Sequence, residues 1–295
     1  MAESSAWAHF HALRPKQWPK NAVVVAAFLF GLGDPVQGVG VTDGWLALAA
    51  AALFCLLSSG VYLLNDLYDA PEDRNHPHKR NRPIASGAVA PSHAIAMAIV
   101  CLAAAVGGAV ILRLELGYVM LAYLGLQLVY TLLLKRLALI DLLIIATGFV
   151  LRAIAGAAVF PIHISPWLLV CTFLLALFLA LCKRRQEKVV VGEGSGRASL
   201  GDYDERLLDQ LISMIAAATL VSYTIYTLAP ETQAKFGTAY LGFTIPFVVF
   251  GLFRYLDLVY RHDLGERPEE VLLTDAPLLA DLFLYGLVVL IILIR

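Results

Sequence analysis

The sequence predicts an all-α, polytopic membrane protein with nine transmembrane helices, and three observations support this class. Of 295 residues, 60% are hydrophobic and only 15% are charged, and the mean hydropathy is +0.76. Soluble domains carry about a quarter charged residues. Apolar runs long enough to cross a bilayer as helices recur along the chain. Lys and Arg residues are concentrated in alternate loops. We therefore expect residues 1–295 to form a single transmembrane domain.

The predicted spans follow one another with short connections, except at two charged loops. In chain order they cover 19–33, 45–65, 91–112, 117–134, 138–160, 166–182, 209–229, 239–256 and 277–294. The two longest loops, 66–90 and 183–208, are rich in charge, and we interpret both as active-site loops. Residues 1–18 alternate aromatic with polar side chains, which is typical of an amphipathic segment lying at the membrane interface.

The distribution of basic residues predicts the orientation of the spans. Of the 22 Lys and Arg residues, only Arg113, Lys235 and Arg295 fall on one side, and Arg152 lies within the fifth span. All the others fall on the opposite side. Cytoplasmic loops carry an excess of Lys and Arg. We therefore predict a protein of the cell (inner) membrane. Its N-terminus and both charged loops are expected in the cytoplasm, and its C-terminus on the outer side of that membrane.

Composition argues against several other functions. The formal net charge of −1 gives no indication of a nucleic-acid partner. The four cysteines all lie in apolar segments without a CxxC pair, so neither a zinc site nor a disulfide framework is indicated. The N-terminus lacks the compact apolar core and cleavage site of a signal peptide. A homo-oligomer is compatible with the sequence.

The most informative stretch is acidic and follows the second span. Asp66, Asp69 and Asp73 are spaced i, i+3 and i+7, so on a helix they share one face. Charge at a membrane boundary is expensive and suggests a site. Carboxylates suit Mg²⁺, which prefers oxygen ligands and commonly bridges to phosphates. A solvated acidic helix end is the alternative, but Lys79, Arg80 and other cations follow directly, and they suit phosphate oxygens.

Asn65-Asp66-x-x-Asp69-x-x-x-Asp73, followed by Arg-x-Arg-Pro-Ile-x-x-Gly, resembles the UbiA superfamily of intramembrane prenyltransferases. The resemblance covers nearly the whole chain and implies a nine-helix bundle that binds a Mg²⁺-diphosphate at its cytoplasmic face. Residues 13–21, together with His76-Pro77-x-Lys79-Arg80, are similar to the decaprenyl-phosphate phosphoribosyltransferase branch. That branch implies transfer of phosphoribose from phosphoribosyl pyrophosphate (PRPP) to a polyprenyl phosphate, in the synthesis of an arabinose donor for the cell wall.

The resemblance implies metal-binding and catalytic roles for Asp66, Asp69 and Asp73. Lys183-Arg184-Arg185-Gln186-Glu187 resembles a Lys-Arg-x-x-Glu element of the same branch, and so implies Glu187 as a further metal ligand. A charged flank of the sixth span is the alternative. The predicted substrate-binding residues are Lys20, Asn65, Arg74, Lys79, Arg80, Arg82, Tyr130, Lys135, Arg152, Lys183, Arg184 and Glu187.

Three assignments remain open at this level. Tyr130 and Lys135 resemble the family's Tyr-x-x-x-Lys element but have one extra residue between them. An Arg inside a membrane usually faces a partner or a cavity, so Arg152 holds either a phosphate or a carboxylate such as Asp141. Asp202, Asp204 and Asp209 do not match the superfamily's second acidic motif. The alternative is that they stabilise the N-terminus of the seventh helix through their negative charge.

Two other functions compete with phosphoribosyl transfer. A UbiA enzyme that moves a prenyl group from a prenyl diphosphate to an aromatic acceptor would need one diphosphate site, whereas the abundant cations favour two phosphorylated substrates. A transporter would carry broken spans or charges at the membrane midplane, but Arg152 is the only residue with such a charge deep in a predicted span.

Overall fold

The fold is described from a computed structural model covering residues 5–32, 38–76, 79–160, 164–191, 203–262, 264–265, 270–271 and 274–294. Every regular element in these ranges is helical, which confirms the all-α class. Residues 192–201 of the second predicted loop, and Asp202, lie outside the described residues. The α-helices are α1 Ser5–Ala12, α2 Val23–Leu32, α3 Gly44–Asp73, α4 Pro91–Leu112, α5 Leu114–Val129, α6 Ile140–Ala158, α7 Pro166–Val191, α8 Glu205–Leu228, α9 Pro230–Phe236, α10 Ile245–Arg261 and α11 Ala276–Ile294.

Eight helices within the described ranges are long and apolar enough to cross a membrane. They correspond to the second through ninth predicted spans, and the chain is a multi-pass membrane protein. The first predicted span differs, because α2 has only 10 residues and follows a 3₁₀ segment, Pro15–Ala22, that contains Pro19. The count of nine spans and the orientation of the termini stay predictions.

Helix α3 extends well past the span predicted from hydropathy. It has 30 residues, which corresponds to about 45 Å at 1.5 Å per residue, against about 30 Å of hydrocarbon. Residues 66–73, predicted as the start of a loop, are therefore its last two turns. Helix α7 likewise continues through residues 183–191 of the second predicted loop. Both charged segments are thus held on rigid helices.

Two apolar cores share α6 between them. Phe54 of α3 and Met120 of α5 are fully buried in the first core, beside Ala155 of α6. Phe178 of α7 and Leu208 of α8 are buried in the second core, together with Ala146 of α6 and other residues. Helix α6 therefore joins the two halves of the bundle, and its polar side chains are fixed from both sides.

Small residues allow close helix approach, as is common in membrane bundles. At Gly156 of α6, an added Cβ would lie only 1.9 Å from the carbonyl oxygen of Val24. Helix α2 therefore packs directly on the α6 backbone, with room for glycine alone at this crossing. In contrast, large apolar residues such as Ile111 and Phe283 are 88% and 70% exposed, as expected for side chains that face lipid.

The N-terminal helix α1 exposes aromatic side chains and packs small ones on the bundle, and its location at the membrane interface stays a prediction. Trp7 and Phe10 are exposed, whereas Ala8 and Ala12 pack with Leu63 of α3 and neighbouring residues in a small third core. One face of α1 is thus attached to α3, near the acidic end of that helix, and its aromatic face is available to the membrane interface.

Candidate active site

The acidic residues lie on the last two turns of α3. Asp66 and Asp73 are buried, with exposed fractions of 3% and 4%, and Asp69 is half-buried. Both buried carboxylates accept hydrogen bonds from one nitrogen of Arg82, Nη1, at 3.2 Å and 2.6 Å. The shared partner places Asp66 and Asp73 on one face of the helix, as their spacing predicts. Isolated buried carboxylates are costly, and Arg82 offsets this cost.

A second cation, Arg14, reaches the same site from the N-terminal segment. Its Nε donates to Asp66 Oδ2 at 3.0 Å and its Nη2 contacts Asp66 Oδ1. This two-pronged geometry is the strongest form of Arg–carboxylate pairing. The Arg14 backbone is left-handed, with φ +54°, a conformation that costs an L-residue about 1–3 kcal/mol and is frequent at functional sites. Arg14 belonged to the 13–21 motif but not to the predicted site set, so its contact with Asp66 was missed.

The third acid, Asp69, pairs with Lys135, which also lies 4.5 Å from the centre of the Tyr68 ring. Lys135 directly follows a π-helical turn, Tyr130–Leu134, in which the Lys135 N–H donates to the Tyr130 carbonyl at 2.9 Å. A π-turn accommodates one more residue than an α-turn. It therefore absorbs the extra residue between Tyr130 and Lys135 and keeps the two in nearly the relation of i and i+4. We name these three acids and their cations, Arg14, Arg82 and Lys135, the acidic site.

The other predicted residues differ in burial and in partners. The Asn65 Oδ1 atom is buried and accepts no hydrogen bond from the described residues. Arg74 is exposed and donates to the Ala85 carbonyl at 3.3 Å. Lys79 and Arg80 lie on the short 3₁₀ turn Lys79–Asn81. Lys20, Tyr130 and Lys183 are half-buried.

Arg184 and Glu187 belong to a second group, which we name the α6–α7 cluster. Arg184 is 2% exposed and pairs with the fully buried Asp141 and with Glu187, the latter at 2.6 Å. Tyr203 donates to Asp141 Oδ1 at 2.7 Å. Burial raises the pKa of the Tyr203 phenol, which keeps it a donor. The cluster fastens the N-terminal end of α6 to the C-terminal end of α7.

A strained turn connects this cluster with the acidic site. Leu139 has φ +67°, and its N–H donates to Tyr203 Oη at 2.6 Å. It lies between Lys135 of the acidic site and Asp141 of the cluster. A β-carbon in this conformation is unfavourable by about 1–3 kcal/mol, and surrounding structure must enforce it. The α6–α7 cluster thereby fixes the segment that carries Lys135.

Arg152 does not pair with Asp141, whose cationic partner is Arg184. It is 5% exposed and donates to Asn21 Oδ1 and to Tyr123 Oη, both at 2.8 Å, and to the Gly148 carbonyl at 3.1 Å. Of the two roles left open by the sequence, the pairing with Asp141 is therefore excluded by the geometry.

The acids near the seventh predicted span have structural partners. Asp204 caps α8 by accepting from the Arg206 N–H at 3.0 Å. Asp209 accepts from Arg185 Nε at 2.6 Å and from Tyr260 Oη at 2.7 Å. This network links α7, α8 and α10, so the described part of this segment strengthens the bundle.

Comparison with known proteins now identifies the family. The profile of the UbiA prenyltransferase family matches residues 22–273. The chain belongs to the UbiA prenyltransferase family. A decaprenyl-phosphate phosphoribosyltransferase of Mycobacterium tuberculosis is 35% identical over 267 residues, which cover 90% of this chain and 87% of that protein. One from Corynebacterium glutamicum is 34% identical over 271 residues, covering 90% and 80%. These relatives confirm the resemblance predicted from the motifs.

Solved UbiA structures share the fold of this chain. A UbiA homolog from Archaeoglobus fulgidus, bound to GPP and Mg²⁺, matches with a TM-score of 0.71 at 18% identity, covering 97% of this chain and 96% of that one. At this identity the match concerns the fold alone. It confirms the predicted UbiA-like helical bundle.

The donor chemistry of this UbiA chain suits a hard divalent cation, although its carboxylates are not arranged as a ready-made cage. Among the described residues, no three His, Cys, Asp or Glu side chains are grouped as metal ligands. Instead, two carboxylates share one Arg82 nitrogen, and Asn65, next to Asp66 in the sequence, has a buried side-chain oxygen that accepts no hydrogen bond within the described part of the chain. The oxygens of Asp66 and Asp73 already converge on one positive charge, and the Asn65 oxygen is a further possible ligand. Oxygen ligands of this kind suit Mg²⁺.

Proposed function

We propose that this protein transfers 5-phosphoribose from PRPP to a polyprenyl phosphate and releases diphosphate. The relatives named decaprenyl-phosphate phosphoribosyltransferase, aligned over 90% of the chain, carry this proposal. The acidic site adds a physical argument, because each carboxylate has its own cation nearby, a suitable arrangement for substrates that bring both metal and phosphate. The product would supply an arabinose donor for the cell wall.

Asp66, Asp69 and Asp73 would hold Mg²⁺ on the diphosphate of PRPP, with Asn65 as a neighbouring acceptor and Glu187 as a further ligand. When bound, Mg²⁺ neutralises charge on the leaving diphosphate. Within the acidic site the three carboxylates balance three cations. With metal and diphosphate bound, Asp66, Asp69 and Asp73 would hold the metal in place of Arg14, Arg82 and Lys135. These three cations would then be available to bind phosphate oxygens, for which Arg and Lys are well suited.

The acceptor needs little activation. A phosphate monoester is already ionised near neutral pH, so its oxygen attacks C1 of the ribose as the bond from C1 to the diphosphate breaks. The ribose develops positive charge in this step. The remaining basic residues at the cytoplasmic face, Lys20, Arg74, Lys79, Arg80 and Lys183, would divide between the ribose 5-phosphate and the lipid phosphate. The lipid chain would extend into the bilayer beside the bundle.

The deciding experiment offers the purified protein two labelled donors in separate reactions with Mg²⁺. With PRPP and polyprenyl phosphate, we expect ribose phosphate to appear in the lipid fraction, and chelation of the metal to stop it. With a prenyl diphosphate and an aromatic acid, we expect no product. The opposite pattern would assign the chain to prenyl transfer, a reading that the GPP-bound structural neighbour makes worth testing.

A further inference from the structure

A buried cation within the bundle has only neutral partners among the residues that the structure describes. Arg152 lies on α6 among the rings of Phe54, Tyr123 and Phe149, whose centroids are 5.5, 4.9 and 4.9 Å from its guanidinium carbon. Its three donor groups bond to the Asn21 amide, the Tyr123 hydroxyl and the Gly148 carbonyl. Ring faces and neutral oxygens satisfy this cation, so its retention in the membrane calls for a reason beyond charge balance.

The contact with Asn21 connects Arg152 to the N-terminal segment. Asn21 is 1% exposed and is the second-to-last residue of the 3₁₀ segment Pro15–Ala22. Its Oδ1 accepts from Arg152, while its Nδ2 reaches Ser58 Oγ at 3.2 Å and Cys55 Sγ at 3.3 Å on α3. A single amide therefore joins the N-terminal segment to two helices of the bundle.

The same segment has a second attachment nearer the acidic site. Trp18 Nε1 donates to Ser59 Oγ at 3.1 Å, and Ser59 Oγ donates to the Leu13 carbonyl at 2.8 Å. The next residue is Arg14, with its left-handed backbone and its two contacts to Asp66. A 3₁₀ segment has weak internal hydrogen bonding, so these side-chain contacts determine where Arg14 lies.

We propose that Arg152 is a positioning residue: through Asn21 it fixes the Pro15–Ala22 segment and so aims Arg14 at Asp66 and the PRPP diphosphate. This rests on the proposed function for the identity of the diphosphate. The planar guanidinium is required because it holds Asn21 and Tyr123 at once in a fixed fork, which a lysine cannot reproduce.

Kinetics of matched variants test this role. Arg152→Met, Asn21→Leu and Arg14→Met should each raise the KM for PRPP by about tenfold, the loss of one modest polar contact, with the KM for polyprenyl phosphate unchanged. Because Arg152 and Asn21 act as one unit, their double variant should be no worse than either single variant. Arg152→Lys should not restore the KM. The control is Arg113→Met, because Arg113 is exposed and directly follows the C-terminal end of α4.

A spectroscopic test does not depend on the reaction. With Trp7, Trp45 and Trp167 replaced by Phe, emission of the remaining Trp18 reports on the segment. Arg152→Met and Asn21→Leu should shift this emission, as should the milder Ser59→Ala, whereas Arg14→Met should not, because the contacts of Trp18 and Asn21 with the bundle do not involve the Arg14 side chain. If PRPP proves not to be a substrate, this result still decides the positioning role.

Two outcomes would overturn the proposal. In one, Asn21→Leu leaves both Trp18 emission and the KM for PRPP unchanged while Arg152→Met abolishes transfer, which would make Arg152 a direct substrate contact. In the other, Arg152→Lys restores the KM, which would show that charge alone is needed. If Arg152→Met fails to fold, Asn21→Leu and Ser59→Ala answer the same question.

Discussion

Single residues show how a cluster of carboxylates is maintained at a membrane boundary. Asp66 and Asp73 are almost inaccessible, and each is held by an arginine from a different segment. Asp69 is held by Lys135 from a third segment. Removing Arg82 or Lys135 leaves Asp73 or Asp69 without the cation it pairs with, which is destabilising for a partly buried charge, whereas Asp66 keeps one arginine when the other is removed. The site is therefore also a junction of three distant parts of the chain.

Asp69 provides a direct test of the metal assignment. Asp69→Asn keeps the size of the side chain but removes its charge, and we expect transfer to fall by more than about 100-fold, the upper range for changes around a metal site. Glu72→Gln, one turn away and exposed at a loose 3.5 Å contact with Arg136, should stay within about threefold of the parent. Ribose-phosphate incorporation by purified variants measures both. Near-normal rates for Asp69→Asn would remove it from the metal site.

The α6–α7 cluster predicts a stability effect. Arg184→Met would leave Asp141 buried and charged, and breaking such a pair costs about 3–5 kcal/mol. Thermal unfolding in detergent should show a large loss for Arg184→Met and a much smaller one for Arg261→Met, since Arg261 is mostly exposed. The double variant Asp141→Leu/Arg184→Met should recover part of the loss. Equal melting temperatures for the two single arginine variants would argue against a structural role of this pair.

Individual elements place the functional groups more rigidly than the sequence suggests. The acids are on α3 itself. The basic residues Lys183, Arg184 and Arg185 are on the last turns of α7. Sites built on helices are more precise than sites built on loops. The π-turn at Tyr130–Leu134 departs from regular α-helix, and it directly precedes Lys135, which pairs with Asp69.

The π-turn makes a prediction about register. Deleting Leu133, which is 68% exposed, should convert the π-turn into an α-turn with Tyr130 and Lys135 still on one face. We expect activity within about threefold of the parent. Inserting one alanine after Leu133 should instead rotate Lys135 by about 100° and reduce activity at least tenfold. Loss of activity in a well-folded deletion variant would show that the π-turn itself is needed.

In the whole molecule, the charged clusters lie at helix ends, separate from the apolar surface of the spans. The acidic site, the α6–α7 cluster and the Arg185–Asp209 network lie at helix ends that the charge distribution predicts to face the cytoplasm. Two cores joined through α6 keep these three groups in a fixed relation. The exposed apolar surface of the helices matches a surrounding of lipid.

Orientation is testable with reporters fused to the two ends of the chain. Nine spans with a cytoplasmic N-terminus place the C-terminus outside. A C-terminal alkaline phosphatase fusion should therefore be active, and an N-terminal fusion inactive. A fusion after Phe236, in the connection between α8 and α10, should be active as well, since Lys235 was assigned to the outside. Inactive C-terminal and active N-terminal fusions would invert the topology, and two ends on one side would rule out nine spans.

The helical membrane class, the family and the acidic face of α3 could be predicted from the sequence, because hydropathy, charge bias and residue spacing are local properties of the chain. Arg82 and Lys135 were predicted as substrate-binding residues. Only the tertiary structure decided partners across the chain: Arg14 with Asp66, Arg184 with Asp141, and Arg152 with Asn21, which are separated by 52, 43 and 131 residues. Such pairings depend on how helices cross, and a crossing such as Gly156 on Val24 is set by packing of whole surfaces. The π-turn was likewise hidden, because an extra residue in a motif indicates an insertion but not how the backbone absorbs it.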